Sequence, residues 1–210
     1  MIRWAAMLAA LAGPALAQAP PELGTVIVRL RAAGVVPQDS ASTVTRLGGQ
    51  WHSSTAAGPD VDASVFLTPS IAVGLGASTF GLSFKLERSE FGTVPVGSAR
   101  LVAPNVTLQY HPFAAGRVSP YAGAGPAAAV LVSPAPGGTL VDTLYFESKV
   151  GAALQAGVDV RLGGGFVLNA DVKQLLVRTT AFSPHAGRRP VEAQVKLNPT
   201  LFGLGVGYRF

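Results

Sequence analysis

The sequence predicts an all-β fold, an eight-stranded antiparallel up-and-down transmembrane β-barrel with short periplasmic turns and four longer extracellular loops. Charged residues make up only 13% of the 210-residue chain, against about 25% in a typical soluble domain, and the mean hydropathy is +0.39. Two uncharged windows, 65–84 and 118–141, contain too much proline and glycine to form good transmembrane helices. Because lipid offers the backbone no hydrogen-bond partner, a closed barrel is the remaining solution.

The first 17 residues are predicted to form a signal peptide. Arg3 gives a short cationic start, residues 5–16 are apolar but too short to span a bilayer, and Ala15-Leu16-Ala17 is an A-x-A cleavage signal. The alternative, an N-terminal membrane anchor, is disfavoured because Pro14 interrupts the apolar run. Residues 18–210 are therefore expected to form one outer-membrane β-barrel domain, which contains no cysteine.

Alternation with a period of two residues predicts the strands in order. In 148–162, apolar side chains alternate with small or polar ones, Gly163-Gly164-Gly165 makes a tight turn, and 166–176 returns as the second strand of a hairpin. The same pattern, with weaker contrast, predicts six further strands at 25–35, 62–67, 71–79, 105–111, 121–131 and 191–210. The last strand is expected to break at Asn198-Pro199, since proline cannot donate to the ladder.

The connections between these strands alternate in length. Turns near Pro69, Ala115 and Gly164 are short. Four segments are long and rich in Gly, Pro, Ser or charge, and are predicted as outer loops: 36–60, 80–104, 132–146 and 177–190. Short periplasmic turns and long outer loops are typical of an even-stranded outer-membrane barrel.

The C-terminal residues Tyr208 and Phe210 alternate with Gly207 and Arg209. We expect the two aromatic side chains to lie in the girdle at the periplasmic interface. Gly-x-x-Tyr-x-Phe at the C-terminus also resembles the signal that the barrel-assembly machinery reads. The alternative is an ordinary edge strand that ends in phenylalanine.

Several stretches resemble the OmpW family of small outer-membrane barrels. They occur in the family's order and cover nearly all of 18–210: 28–33 (VRLRAA) with 37–39 (PQD), 66–73 (FLTPSIAV), 103–112 (APNVTLQYHP), 120–125 (PYAGAG), 156–159 (AGVD), and 198–199 (NP) with 203–210 (GLGVGYRF). The resemblance implies an eight-stranded barrel with a narrow, partly apolar lumen that admits small hydrophobic molecules. Two features depart from the family: the second and fourth outer loops lack its usual polar pattern, and Pro126 replaces a residue that is often larger.

Charged side chains alternate into the predicted lumen on three strands. They are Arg29, Arg31, Asp159, Arg161, Asp171 and Lys173. A small eight-stranded barrel is just wide enough for its own side chains to fill it, and buried charges persist when they are paired. This lumen charge ladder is therefore interpreted as a structural network in the periplasmic half, with an ion-selectivity filter as the alternative.

Two further positions are candidates for a solute path. Pro126 removes one ladder hydrogen bond, so it is a candidate lateral opening through which an apolar solute leaves; the alternative is that its strand ends early, near Gly125. Leu47 and Trp51 in the first long loop could cap an apolar entrance, although an aromatic side chain there could equally anchor the loop at the lipid headgroups.

The sequence offers little support for catalysis or cofactor binding. His52, His111 and His185 lack the spacing of metal ligands, so neither a metal nor another cofactor is expected. The chain contains no Gly-x-Ser-x-Gly elbow. The segment 123–128 fits a dinucleotide fingerprint only superficially, because no helix of useful length follows it. We therefore predict that the protein is not an enzyme.

Together these features predict a protein of a Gram-negative outer membrane that passively conducts small hydrophobic solutes. The alternative is a non-conducting structural or adhesion barrel that acts through its extracellular loops. Expected partners are outer-membrane lipid, the barrel-assembly machinery and periplasmic chaperones, and the solute itself. Arg178, Arg188 and Arg189 could meet lipopolysaccharide phosphates, a more natural partner in this compartment than nucleic acid.

Overall fold

The computed structural model describes residues 19–37, 39–40, 50–89, 92–136, 145–146, 149–186 and 189–210. The predicted signal peptide lies outside the described residues. The strands are β1 (Val26–Val36), β2 (Asp39–Ser40), β3 (Gln50–Ser53), β4 (Ala56–Phe66), β5 (Ile71–Ser89), β6 (Gly92–Tyr110), β7 (Val118–Pro136), β8 (Tyr145–Phe146), β9 (Lys149–Gly163), β10 (Phe166–Ala186), β11 (Arg189–Leu197) and β12 (Thr200–Arg209). The described residues contain no helix that is long and apolar enough to cross a membrane.

Eight of these strands close into an antiparallel barrel, as the sequence predicted. The order around the wall is β1, β4, β5, β6, β7, β9, β10 and β12. The first and last strands meet from Ile27 opposite Arg209 to Val36 opposite Thr200. The other four strands pair further along: β3 with β5, β8 and β11 with β10, and β2 with β11.

The strands extend further outward than the alternation pattern predicted. All four predicted loops contain strand residues. β5, β6, β7 and β10 continue into 80–104, 132–146 and 177–190, and 36–60 contains β2, β3 and the start of β4. Pairing with a neighbouring strand stabilises these polar, proline-containing segments in an extended form, which the local pattern does not reveal. The predicted break at Asn198-Pro199 is confirmed, since β11 ends at Leu197 and β12 begins at Thr200.

The hairpin turn after β9 has the geometry that its three glycines permit. Gly163, Gly164 and Gly165 have φ values of 106°, 60° and 84°, in the region that L-residues with a side chain rarely adopt. At the same end, Leu67 N donates to Ile71 O and Gly116 N donates to Phe113 O. This end carries the short turns and is the periplasmic end.

The wall has an apolar outer face. On β1, Val28 and Leu30 face outward while Arg29 and Arg31 are buried inside. Other large apolar side chains on the outside include Leu75, Leu108, Leu154, Leu168 and Leu204. Contact with hydrocarbon stabilises such a surface, so the alternation that predicts the strands also sorts the lipid-facing from the interior side chains.

Candidate functional site

Arg29 is at the centre of the polar side chains inside the barrel. Its Nε donates to Asp159 Oδ1 at 2.9 Å, and its Nη1 donates to Ser64 Oγ at 2.7 Å and to Asp62 Oδ2 at 3.3 Å. Its guanidinium also lies over the ring of Tyr121, 5.1 Å from the centroid. The side chain is completely buried, so these contacts replace the water that an exposed arginine would bind.

Arg31, one step further outward on β1, links the same carboxylates to the next level. Its Nε donates to Asp60 Oδ2 at 2.6 Å, and its Nη1 donates to Asn169 Oδ1 at 2.9 Å. Its Nη2 lies 3.0 Å from Asp62 Oδ1. Lys173 reaches Asp60 from the other side, with its Nζ 3.4 Å from Oδ1. Two arginines and one lysine therefore share one cluster of carboxylates.

Neutral side chains complete the set. Tyr121 Oη and Gln155 Nε2 each donate to Asp171 Oδ2 at 2.9 Å. We call the buried set the polar network and define it as Arg29, Arg31, Asp60, Asp62, Ser64, Ser78, Thr107, Gln109, Tyr121, Gln155, Asp159, Asn169, Asp171 and Lys173. Its members come from β1, β4, β5, β6, β7, β9 and β10, so the network joins nearly the whole circumference of the barrel.

The structure places all six charges of the predicted ladder inside the barrel. Arg29 and Asp159 form an ion pair, whereas Asp171 accepts from neutral donors and Arg161 donates to the carbonyls of Ala114 and Ala115 in a periplasmic turn. Asp60 and Asp62, which carry much of the pairing, are not among the predicted lumen charges. Asp60 falls in the predicted loop 36–60, whereas Asp62 falls in the predicted strand 62–67, where its alternation with Ser64 was the available signal.

Apolar side chains lie on both sides of the polar network. Towards the periplasm is a floor formed by Ile27, Phe66, Ala72, Ala114 and Val167, where the His111 ring lies between the Phe66 and Tyr121 rings. Towards the outside is an apolar layer that includes Phe80, Leu82, Phe84, Leu101, Leu131, Leu175 and the small residues Ala103, Ala127, Ala129 and Ala153. Passing inward from the outer end, the interior changes from apolar to ionic and then to apolar again.

The ladder between β6 and β7 is interrupted next to the apolar layer. Val102 pairs with Val130, Asn105 with Ala127 and Leu108 with Ala124, but no ladder pairs join the residues between them in these described strands. We call this stretch, 102–108 of β6 facing 124–130 of β7, the seam. By contrast, the β5–β6 ladder is continuous from Ile71–Tyr110 to Phe84–Gly97.

Two prolines explain the interruption. Pro104 lies in the continuous β5–β6 ladder and Pro126 in the continuous β7–β9 ladder, opposite Ala77 and Ala152 respectively. The N–H groups that these prolines lack would therefore have pointed into the seam. The alternative that this strand ends early, near Gly125, is wrong, because β7 continues to Pro136.

The two backbones nevertheless remain close at the seam. A Cβ atom added to Gly125 would collide with the carbonyl oxygen of Val106 and crowd Thr107 Cα. The absence of a side chain at Gly125 thus lets β6 and β7 stay adjacent without the full set of hydrogen bonds. The seam is a weakly bonded but closed part of the wall.

The remaining predicted positions are spread over the barrel. Trp51 lies on β3, where it pairs with Leu86, and Leu47 lies outside the described residues. Tyr208 packs edge-on against Phe166 and Phe210, with ring centroids 5.1 and 4.8 Å apart, and all three rings are exposed at the periplasmic end. Arg178 and Arg189 lie on β10 and β11, and Arg188 lies outside the described residues.

The closed barrel, its apolar belt and its filled interior define a small outer-membrane β-barrel protein. The sequence matches the model of the OmpW family over residues 22–210, so the chain belongs to the OmpW family. It is 35% identical over 185 residues to the uncharacterized outer-membrane protein y4mB of Sinorhizobium fredii (strain NBRC 101917 / NGR234), a match that covers 87% of this chain and 79% of that protein. The protein is accordingly located in the outer membrane and is embedded in its lipid.

Solved structures show the same fold. The crystal structure of the outer membrane protein OprG from Pseudomonas aeruginosa superposes with a TM-score of 0.83 at 20% identity, covering 90% of this chain and 97% of OprG. The solid-state NMR structure of the outer membrane protein AlkL in DMPC bilayers gives 0.69 at 21% identity, covering 92% and 93% of the two chains. The predicted resemblance to the OmpW family is therefore confirmed.

Proposed function

We propose that this barrel passively conducts small hydrophobic solutes across the outer membrane, and that they leave its interior sideways through the seam. The observation that supports this most is the arrangement of the interior. An apolar layer occupies the outer part, and the polar network with its floor occupies the periplasmic part. An apolar solute matches the side chains of the apolar layer but meets ion pairs if it continues along the barrel axis.

The energies of the two routes differ. An apolar solute that moved axially would have to separate buried charges such as Arg29 and Asp159, and breaking a buried pair costs about 3–5 kcal/mol. Sideways exit leads from an apolar interior to hydrocarbon, so the solute itself loses little hydrophobic stabilisation. The wall there opens with fewer broken hydrogen bonds, because Pro104 and Pro126 provide no N–H donors. Lateral exit therefore requires less free energy than axial passage.

The proposal is tested in cells, where lipopolysaccharide is the barrier to hydrophobic solutes; phospholipid vesicles are already permeable to them. Entry of n-decane is measured by rapid filtration and extraction in cells that produce the protein and in vector controls. Rates are normalised to the same cells after the outer membrane has been permeabilised. We expect several-fold faster entry with the protein. Equal rates, with the folded barrel present in the outer membrane, would contradict conduction.

A non-conducting barrel that acts through its extracellular loops is the second candidate. The periplasmic half of the interior favours it, because the buried side chains of the polar network and the floor occupy that half in the described part of the chain. The same measurement separates the two candidates. If n-decane entry is unchanged while the cells gain adhesion, and removal of the outer loop segments abolishes that adhesion, the second function is supported.

A further inference from the structure

We propose that Asn105 is a hydrogen-bonding site on the solute path, and that it favours amphiphiles that combine an alkyl chain with a hydrogen-bond acceptor such as a carbonyl group. The inference deepens the proposed function and rests on it, since the site acts only if solutes pass the seam.

Asn105 lies in the middle of the seam. It pairs with Ala127 on β7, and the ladder is interrupted on both sides of this pair. Its neighbour in the chain is Pro104, one of the two residues that weaken the seam. A solute that left between β6 and β7 would therefore pass directly over the Asn105 side chain, which faces the interior and is only 6% exposed.

The amide of Asn105 lacks the partner that a buried amide normally has. Its Nδ2 is buried and donates no hydrogen bond within the described part of the chain. Across the β5–β6 ladder it faces Gly76, which has no side chain to offer a partner. By contrast, Gln109 on the same strand donates to Thr107 Oγ1 and Gln155 Oε1. An unpaired buried donor is unfavourable, and an acceptor that arrives on a solute relieves this.

The surroundings of Asn105 match an amphiphile rather than a fully polar solute. Ala127 lies opposite Asn105 and Ala103 and Ala129 lie further towards the outer end, and these small apolar residues can line an alkyl chain. Towards the periplasm lies Thr107, the start of the polar network on this strand. A solute whose acceptor binds Asn105 Nδ2 and whose alkyl chain lies in the apolar layer gives the amide its hydrogen bond and keeps the chain in apolar contact. A hydrocarbon without an acceptor leaves the amide unpaired.

The test compares n-decane with 2-decanone, which have the same chain and differ by one carbonyl group. Entry of each is measured in cells as above, for the native protein and for N105L, N105D and N105Q. Loss of one hydrogen bond changes an equilibrium by roughly two- to tenfold. We therefore expect N105L to lower the ratio of 2-decanone to n-decane entry about fivefold. N105D, which replaces the donor by an acceptor, should lower the ratio at least as much.

N105Q keeps the donor and should restore the ratio to within twofold of the native value, which a merely structural role would not predict. N105A serves in place of N105L if the latter does not reach the outer membrane folded. An unchanged ratio in the folded N105L or N105A barrel would overturn the inference while leaving conduction intact. If cells with the native protein take up neither n-decane nor 2-decanone faster than vector controls do, the proposed function is overturned instead.

Discussion

The β1–β12 ladder and the seam lie on opposite sides of the barrel, and they differ in both backbone and side chains. β1 and β12 pair without interruption, and β1 carries Arg29 and Arg31, from which the polar network spreads. The seam has an interrupted ladder, two prolines and mostly small side chains. The polar network links most strands of the barrel and has its two arginines on β1, so the wall away from the seam keeps the fold while the ladder at the seam is weak.

Breaking the rigid side should give the largest effect. In R29M, Asp159 keeps its burial but loses the Arg29 guanidinium, and Asp62 loses one of the two arginines that contact it. Leaving buried charges without a partner costs about 3–5 kcal/mol. We expect the free energy of unfolding to fall by that amount, measured by urea unfolding in lipid bilayers with the heat-modifiable band as the signal.

R100M is the matched control, because Arg100 lies on β6 with its side chain exposed. Surface substitutions usually change stability by no more than about 0.5 kcal/mol. The double variant R29M/D159N should recover part of the loss, since it removes the negative charge of the carboxylate whose ion pair R29M breaks. Equal stability of R29M and R100M would show that the network does not hold the wall together.

How far the sequence predicts these two sides differs for a physical reason. Alternation depends only on neighbouring positions, so it predicted the eight strands and the inward direction of Arg29 and Lys173. Which charges meet depends on the stagger of the strands around the barrel. Arg29 and Asp159 are 130 positions apart, and no local pattern predicts their contact. The unpartnered amide of Asn105 is likewise a property of everything that surrounds it.

The close approach of β6 and β7 gives the second prediction. G125A places a methyl group against the backbone of Val106, which cannot move without shifting β6. Overpacking of this kind costs about 1–3 kcal/mol, and we expect that decrease in the free energy of unfolding. G81A is the control, because a Cβ atom at Gly81 on β5 meets no atom within 4 Å. Similar stability of both variants would mean that the seam is looser than the structure indicates.

Strengthening the seam should have the smallest effect on stability and a clear effect on conduction. P126V adds an N–H group that can donate to Val106 O across the seam, and one hydrogen bond adds about 0.5–1.5 kcal/mol. If solutes leave where β6 and β7 separate, n-decane entry should fall roughly two- to tenfold while the barrel becomes slightly more stable.

P120V is the control, since Pro120 lies on the same strand in the continuous β7–β9 ladder but outside the seam. Unchanged entry in P126V would exclude the seam as the exit, whereas an equal fall in P120V would assign the effect to the strand as a whole. A fall confined to P126V would mean that the missing hydrogen bonds of the seam serve conduction, and that the strength of the opposite wall is what makes this local weakness tolerable.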